Sequence, residues 1–325
     1  MAVLILGLVL TGCGGGSGTE TTATPAGPPR EVRVTLSGQA GPQDLGILTA
    51  EAQQLFTQVG LRPVVASPAE PWRPVPYVLN GTDELGAALL PQVVEAKAKG
   101  APLTVIGSEV AQPTMAMIWL PRSGIGSLAD LAGKTIAVPG IPVEMEFLRV
   151  MLARAGLSLD DVTVVGAGYD LVPALLSGRA DAIFGAAANV EGAELEARGS
   201  QPVVTPVQTA GAPDYEELVL VGRSDTLAEN PTLARDFMAA VTEGVEAATA
   251  DPRQALSTIQ ESPYASTEAD PDAVRAQVEA TLPLLSGSGE ADPERLQALV
   301  DWMAEEGMIG KAFPASELLA AGSPE

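Results

Sequence analysis

From Glu31 onward the chain alternates short apolar runs with longer stretches of helical period, and nothing else in it narrows the possible folds as far. Segments 31–36, 62–67, 84–90 and 102–107 read as strands, with helices expected over 45–60, around 77–79 and over 91–100. A second unit repeats the pattern, with strands at 134–140, 162–168 and 180–185 and helices at 142–156 and 170–178. Pro142 suits the first turn of its helix, and Gly60 and Gly178 stand where helices end. Strand, helix and strand in succession build a parallel sheet with crossover helices, so the fold class is α/β.

Between the two units lies "TMAMIWLPRSG" (114–124), a long extended run whose return partner reads as "EELVLVGRS" (216–224). The chain then crosses twice between two lobes. Residues 31–118 and 217–325 are expected in lobe 1 and residues 119–216 in lobe 2. Further helices over 231–249, 252–260, 271–282 and 293–306, each introduced by Asn, Asp or Pro, form a helical C-terminal extension. Lobes joined by paired crossings close on a ligand like a clam, and open α/β sheets bind ligands beyond the carboxyl ends of their strands.

The N-terminus carries a different signal. "VLILGLVL" (3–10) is too short to span a bilayer but suits the apolar part of a signal peptide, here residues 1–12. It runs into "LTGC", which resembles the lipobox of bacterial lipoproteins. That resemblance implies cleavage before Cys13 and a diacylglycerol on its thiol. Residues 13–30, "CGGGSGTETTATPAGPPR", are then a flexible tether. Lipidation also accounts for a single Cys in an exported chain, and the rest should be soluble because no later run of 18 apolar residues occurs.

Composition removes whole classes of function. With 18 basic against 41 acidic residues the net charge is −23, which repels phosphate backbones and anionic lipid headgroups. With no His and one Cys, the chain has no Cys/His zinc site, Ser-His-Asp triad or Cys-His pair. "GKT" at 133–135 is no phosphate loop, since position 128 is Leu where a Gly is required and a strand follows. No metal, cofactor or nucleic acid is expected.

"SLADLAGKTIAVPGIPVEMEFLRVMLARAGLSLDDVTVV", followed by "ALLSGRADAIFG", resembles the solute-binding proteins of ABC importers, over about residues 31–260. The subfamily is that of nitrate, sulfonate, taurine and thiamine-pyrimidine-precursor binders, which implies a two-lobed type II periplasmic-binding fold. "NVEGAELEARG" and "GAPDYEELVLV" also resemble the pyrimidine-precursor and riboflavin branch, where Asn-aromatic-Glu follows this strand; here Val190 stands in the aromatic place.

In such a fold the loops after strands bring Ser37 to Gln39, Thr82, Gly140 with Ile141, Tyr169 with Asp170, and Asn189 with Glu191 to one cleft. A Pro-rich loop adds Trp72 and Tyr77, and the hinge adds Tyr215. Asn189 fits a helix N-cap as well as a ligand contact. Glu191 precedes Leu195 by one turn, which pulls its stripe toward the protein body. Tyr169 follows "GAG" after a strand, so its ring is expected to face the cleft. Tyr215 suits a ligand contact or a hinge pin, and Trp72 and Tyr77 suit either stacking on a ligand or cover for the Pro-rich surface. Gly140, in "PGIP", offers backbone N–H groups at a helix start.

These loops hold acids, amides and Tyr in place of the Arg that a sulfonate or nitrate would want. An aminopyrimidine offers paired N–H donors to a carboxylate and a flat face to a ring, which suits Glu191 with Tyr169 or Trp72. The expected function is a monomeric substrate-binding lipoprotein of an ABC importer, on the outer face of the bacterial cytoplasmic membrane. It would capture a thiamine-pyrimidine precursor or riboflavin-like compound and deliver it to a permease. Alternatives are a sulfonate, taurine or nitrate binder, a sensing module for a surface signalling partner, and a pyrimidine-synthase-like enzyme of the same fold. The last, by the resemblance, needs a His and a Cys-rich iron site that this chain lacks.

Overall fold

The computed structural model describes residues 27–68, 74–267 and 269–319; the expected signal peptide, Cys13 and Trp72 lie outside them. Chain order runs β1 (Arg30–Thr35), α1 (Leu45–Ala52), α2 (Leu55–Gln58), β2 (Leu61–Ala66), α3 (Pro74–Leu79), β3 (Leu85–Leu89), α4 (Leu90–Ala98) and β4 (Leu103–Val110). The second unit contains β5 (Met115–Trp119), β6 (Thr135–Val138), α5 (Pro142–Arg154), β7 (Thr163–Gly166), α6 (Leu171–Leu176), β8 (Ala182–Ala187), α7 (Ala193–Ala197) and β9 (Val203–Pro206). The chain returns through β10 (Leu218–Arg223) and ends in α8 (Ser224–Glu229), α9 (Leu233–Ala250), α10 (Pro252–Glu261), α11 (Pro271–Thr281) and α12 (Pro293–Glu305).

Two five-stranded sheets result, in the orders β2-β1-β3-β10-β4 and β7-β6-β8-β5-β9. In each, three parallel strands lie beside a central antiparallel one: β10 runs against β3 and β4, and β5 against β8 and β9. This corrects the pairing expected between 114–124 and 216–224. The two segments lie in different sheets, for a reason visible in their composition. "MAMIW" is buried along its whole length and "LVLVG" likewise, and a strand buried on both faces takes a central place in a sheet. The chain thus crosses between sheets through residues 111–114 and 207–217.

The expected helix over 45–60 is also two pieces. Gln54 adopts a left-handed backbone (φ 59°), which turns the chain so that Phe56 packs on Phe237 of α9 with ring centroids 4.8 Å apart. Burial of that ring outweighs helix continuation at one exposed residue.

The C-terminal extension spans both lobes. α9 lies on α1, with Gly46 and Gly244 at their closest approach, and α10 packs on α1 and α11. α11 packs on α7, and α12 on α5, where Arg149 donates to the Glu306 carbonyl at 2.7 Å and the Phe147 and Trp302 rings lie 5.0 Å apart.

Candidate functional site

A cavity of about 690 Å³ lies between the two sheets. The loop Gly38–Gln43 after β1 forms one wall, and the segment after β8, with Tyr169 and Glu144, forms the other. Thr114, Met115 and Glu217 of the crossings lie on its floor, and α11 with the stretch before it closes a side. Its volume suits a one- or two-ring compound.

Carboxyl groups dominate the charge inside. Glu144, Glu191, Glu194, Glu217 and Asp270 line the cavity, and among the described lining residues Arg198 is the one cation. Arg198 is bound to Glu194 at 2.9 Å, one turn away on α7. Burial with few donors pushes Glu191 and Glu217 up to about 7. Burial also drives Glu144 well above the usual carboxylate range, and the nearby charges of Glu217 and Glu191 add to the effect.

Backbone donors fix two of these groups. Glu191 Oε2 accepts the Ala187 N–H at 2.7 Å, so this carboxyl closes the start of its own helical segment. Glu217, 7% exposed, accepts the Thr114 N–H at 2.7 Å, and Ala188 donates to the Thr114 carbonyl at 2.8 Å. Both chain crossings therefore meet at one carboxylate. Glu144, in the first turn of α5, packs against the Cα of Gly185, whose backbone is left-handed (φ 75°). A side chain at 185 would collide with that carboxyl, so Gly is required there.

The expected residues divide. Gln39, Tyr169, Asn189 and Glu191 line the cavity. Tyr169, 37% exposed, meets the Gly38–Gln39 backbone of the opposite lobe, and burial of its hydroxyl there pushes its pKa up to about 12. The cleft is thus closed at this point. Asn189, 6% exposed, does not cap a helix. It sits inside a wide π turn, Ala188–Gly192, where Glu191 accepts the N–H of Ala187 just before the turn, and its Nδ2 donates to Thr281 Oγ1 of α11 at 2.7 Å. Its Oδ1 is buried without a partner.

Gly140 (φ 95°) lies beside lining residue Pro139 but is not itself part of the wall. Ser37, Thr82, Ile141 and Asp170 are likewise outside it. Tyr77 sits on α3, away from the cavity. Tyr215 is fully buried against Phe147, ring centroids 6.4 Å apart, and its hydroxyl is held above its ordinary pKa by burial and by Glu217 and Glu144. It pins the crossing from behind the cavity.

Glu144, Glu217 and the wall from α11 were not anticipated from the sequence. A signal for Glu144 existed: it lies on the stripe of Phe147, Leu148 and Met151, so an acid interrupts an otherwise buried face.

A family model described as NMT1/THI5 like matches residues 41–255. A Haemophilus influenzae protein assigned to thiamine biosynthesis is 28% identical over 88% of this chain and 90% of its own. The formylaminopyrimidine-binding protein of Halalkalibacterium halodurans is 29% identical over 76% of this chain and 70% of its own. Fungal proteins named 4-amino-5-hydroxymethyl-2-methylpyrimidine phosphate synthases also match, at 23–28% identity. Among solved structures, the alkanesulfonate-binding protein SsuA of Xanthomonas axonopodis pv. citri superposes with a TM-score of 0.68 at 18% identity, covering 91% of this chain and 99% of its own. At that identity the shared periplasmic-binding fold is what the match carries.

Proposed function

Because the chain belongs to the NMT1/THI5-like family, we propose that it is an extracytoplasmic binding protein that captures a small aminopyrimidine-type ring by lobe closure and hands it to an ABC permease. The observation that carries this reading is the cavity itself: one- or two-ring in size, set between the lobes, rich in carboxyl groups and poor in cations. Such a lining repels sulfonate, nitrate and phosphate and favours a ring that donates N–H bonds. The formylaminopyrimidine-binding relative points to the same ligand class. The synthases among the relatives suggest chemistry instead, but by the family resemblance that chemistry rests on a His and a Cys-rich iron site, and this chain has no His and one Cys.

In this reading Glu191 accepts N–H groups of the ring, Tyr169 and Gln39 cover it from the cleft mouth, and Asn189 Oδ1 takes a further donor. Glu191→Gln should weaken binding of 4-amino-5-hydroxymethyl-2-methylpyrimidine roughly 30-fold, about 2 kcal/mol, because the amide must turn an N–H toward another N–H. Titration calorimetry reads this directly. A wild type that binds no aminopyrimidine sinks the proposal, and an unchanged Kd in the variant removes Glu191 from it.

The reading also places a lipid on Cys13. Full-length protein made in bacteria should partition with membranes and carry a diacylglycerol by mass spectrometry, and Cys13→Ala should release it to the soluble fraction. Membrane retention of the Ala variant would argue against the anchor.

A further inference from the structure

Glu144 has the least local support of the cavity carboxyls. It is 2% exposed, and its Oε2 lines up against Gly185 with no hydrogen-bond partner. The groups that face it are acidic or phenolic: Glu217 from the crossing into β10, Glu191 from the turn after β8, and the Tyr215 hydroxyl. Glu194 and Asp270 lie farther along the wall, and Arg198 is held by Glu194. Glu191 and Glu217 are each fixed by backbone N–H donors, which makes them acceptors. Glu144 has no such donor. The first turn of α5 favours a negative charge only modestly, but removing a carboxylate from water beside two others costs several times more. The proton therefore stays on Glu144.

We propose that Glu144 is a ligand-contacting residue that presents a carboxylic O–H and its own carbonyl oxygen, side by side, to a ring nitrogen next to an exocyclic amine. The O–H donates to the ring nitrogen while the carbonyl accepts from the amine, so one neutral carboxyl satisfies two ring atoms and no net charge is buried. Glu191 and Glu217 are left to accept other N–H groups. A sulfonate or carboxylate has no such edge, so the same residue selects against anions. This inference rests on the aminopyrimidine reading above.

The test uses the whole protein, with 4-amino-5-hydroxymethyl-2-methylpyrimidine as probe, by calorimetry across about pH 5.5 to 9.5. Affinity of the wild type should rise as Glu191 and Glu217 ionise, then fall at least tenfold on the alkaline side as Glu144 loses its proton. Glu144→Gln keeps a donor and an acceptor in the same places, so it should bind within about threefold at neutral pH and lose the alkaline fall. Glu144→Met should bind more than tenfold more weakly than wild type at neutral pH, a loss of about 1.4 kcal/mol or more, and should show no alkaline fall. An alkaline fall that survives in the Gln variant, or a Met variant that binds like wild type, overturns the assignment. Infrared difference spectra of ligand-free wild type against Glu144→Gln at neutral pH read the proton without any ligand: a protonated-carboxyl band belonging to Glu144 is expected, and its absence overturns the proposal. If the band is present but wild type ignores the probe, the donor stands and the aminopyrimidine reading falls.

Discussion

Ligand-free protein is expected to melt on the order of 10 °C higher at about pH 5.5 than at about pH 8, the reverse of what carboxylate ion pairs would give. Asp44, Glu191 and Glu217 hold their protons up to about 7, burial being the main cause in each. Burial also drives Glu109, beside Asp44, and Glu144 well above the usual carboxylate range. In the unfolded chain the same groups release their protons near pH ~4. Between that pH and 7 the folded state binds more protons, so this stability is complete below about pH 4 and is lost progressively as pH rises to about 7. Glu109 and Glu144 add to the loss in the same direction.

Between about pH 5.5 and 7, Asp44, Glu191 and Glu217 taken singly each lose roughly 2 kcal/mol, since about 1.5 pH units of tighter proton binding correspond to that energy. The groups share neighbours, so the sum overshoots, and a net loss of several kcal/mol is expected. Asp130, Asp161 and Asp225 shift downward, but they are exposed and their contribution fades only in stronger acid, outside this window. Self-repulsion of a chain at −23 acts in the same direction as the buried acids. Calorimetric scans at the two pH values decide it, and a Tm that rises toward pH 8 would refute this picture of the buried carboxyls.

Gly244→Ala should lower stability by about 2–3 kcal/mol, some 5–10 °C in Tm, even though alanine is the better helix former. α9 crosses α1 with Gly244 directly over the Gly46 carbonyl and the Ala50 backbone, and a methyl there would stand well inside contact distance of both. Helix propensity returns about 1 kcal/mol, which displacement of two packed backbones exceeds. Gly46→Ala meets first the Val241 and Val245 methyls at 2.9 Å and the Val241 backbone carbonyl only at 3.3 Å, a milder clash than the one at Gly244, and should cost less. Denaturant titration of both variants gives the comparison, and equal midpoints would show that the helices are not held at this distance.

The strands and most helices were readable because their apolar periods are local. The crossings were readable as crossings, but not as members of separate sheets. That requires knowing that "MAMIW" and "LVLVG" are each covered on both faces, which depends on elements distant in sequence, α3 against β10 among them. In the site, Tyr169, Asn189 and Glu191 were found by their position after strands. Glu217 was missed because an acid just before a strand reads as solvated, and only its approach to Thr114, 103 positions earlier, buries it. The wall from α11 was invisible for the same reason: nothing in "PDAVRAQVEAT" signals that it will rest on α7. Asn189 illustrates the opposite failure. Its place before a helix suggested a cap, but Glu191 two residues later already meets the backbone donor, which frees Asn189 to reach Thr281.

That reach sets the timing of the cleft. α11 belongs to the extension that packs on α10 and α1, yet its bonds run to the other lobe: Asn189 to Thr281, and Gln277 to the Val190 carbonyl and Glu194 at 3.5 Å. Parting the lobes must strip these polar bonds along one helix flank while the crossings merely flex. Ligand residence time is then expected to depend on a small polar zipper that flanks Glu191 in the cavity wall, and changes along α11 should alter how long a molecule stays more than how readily it enters.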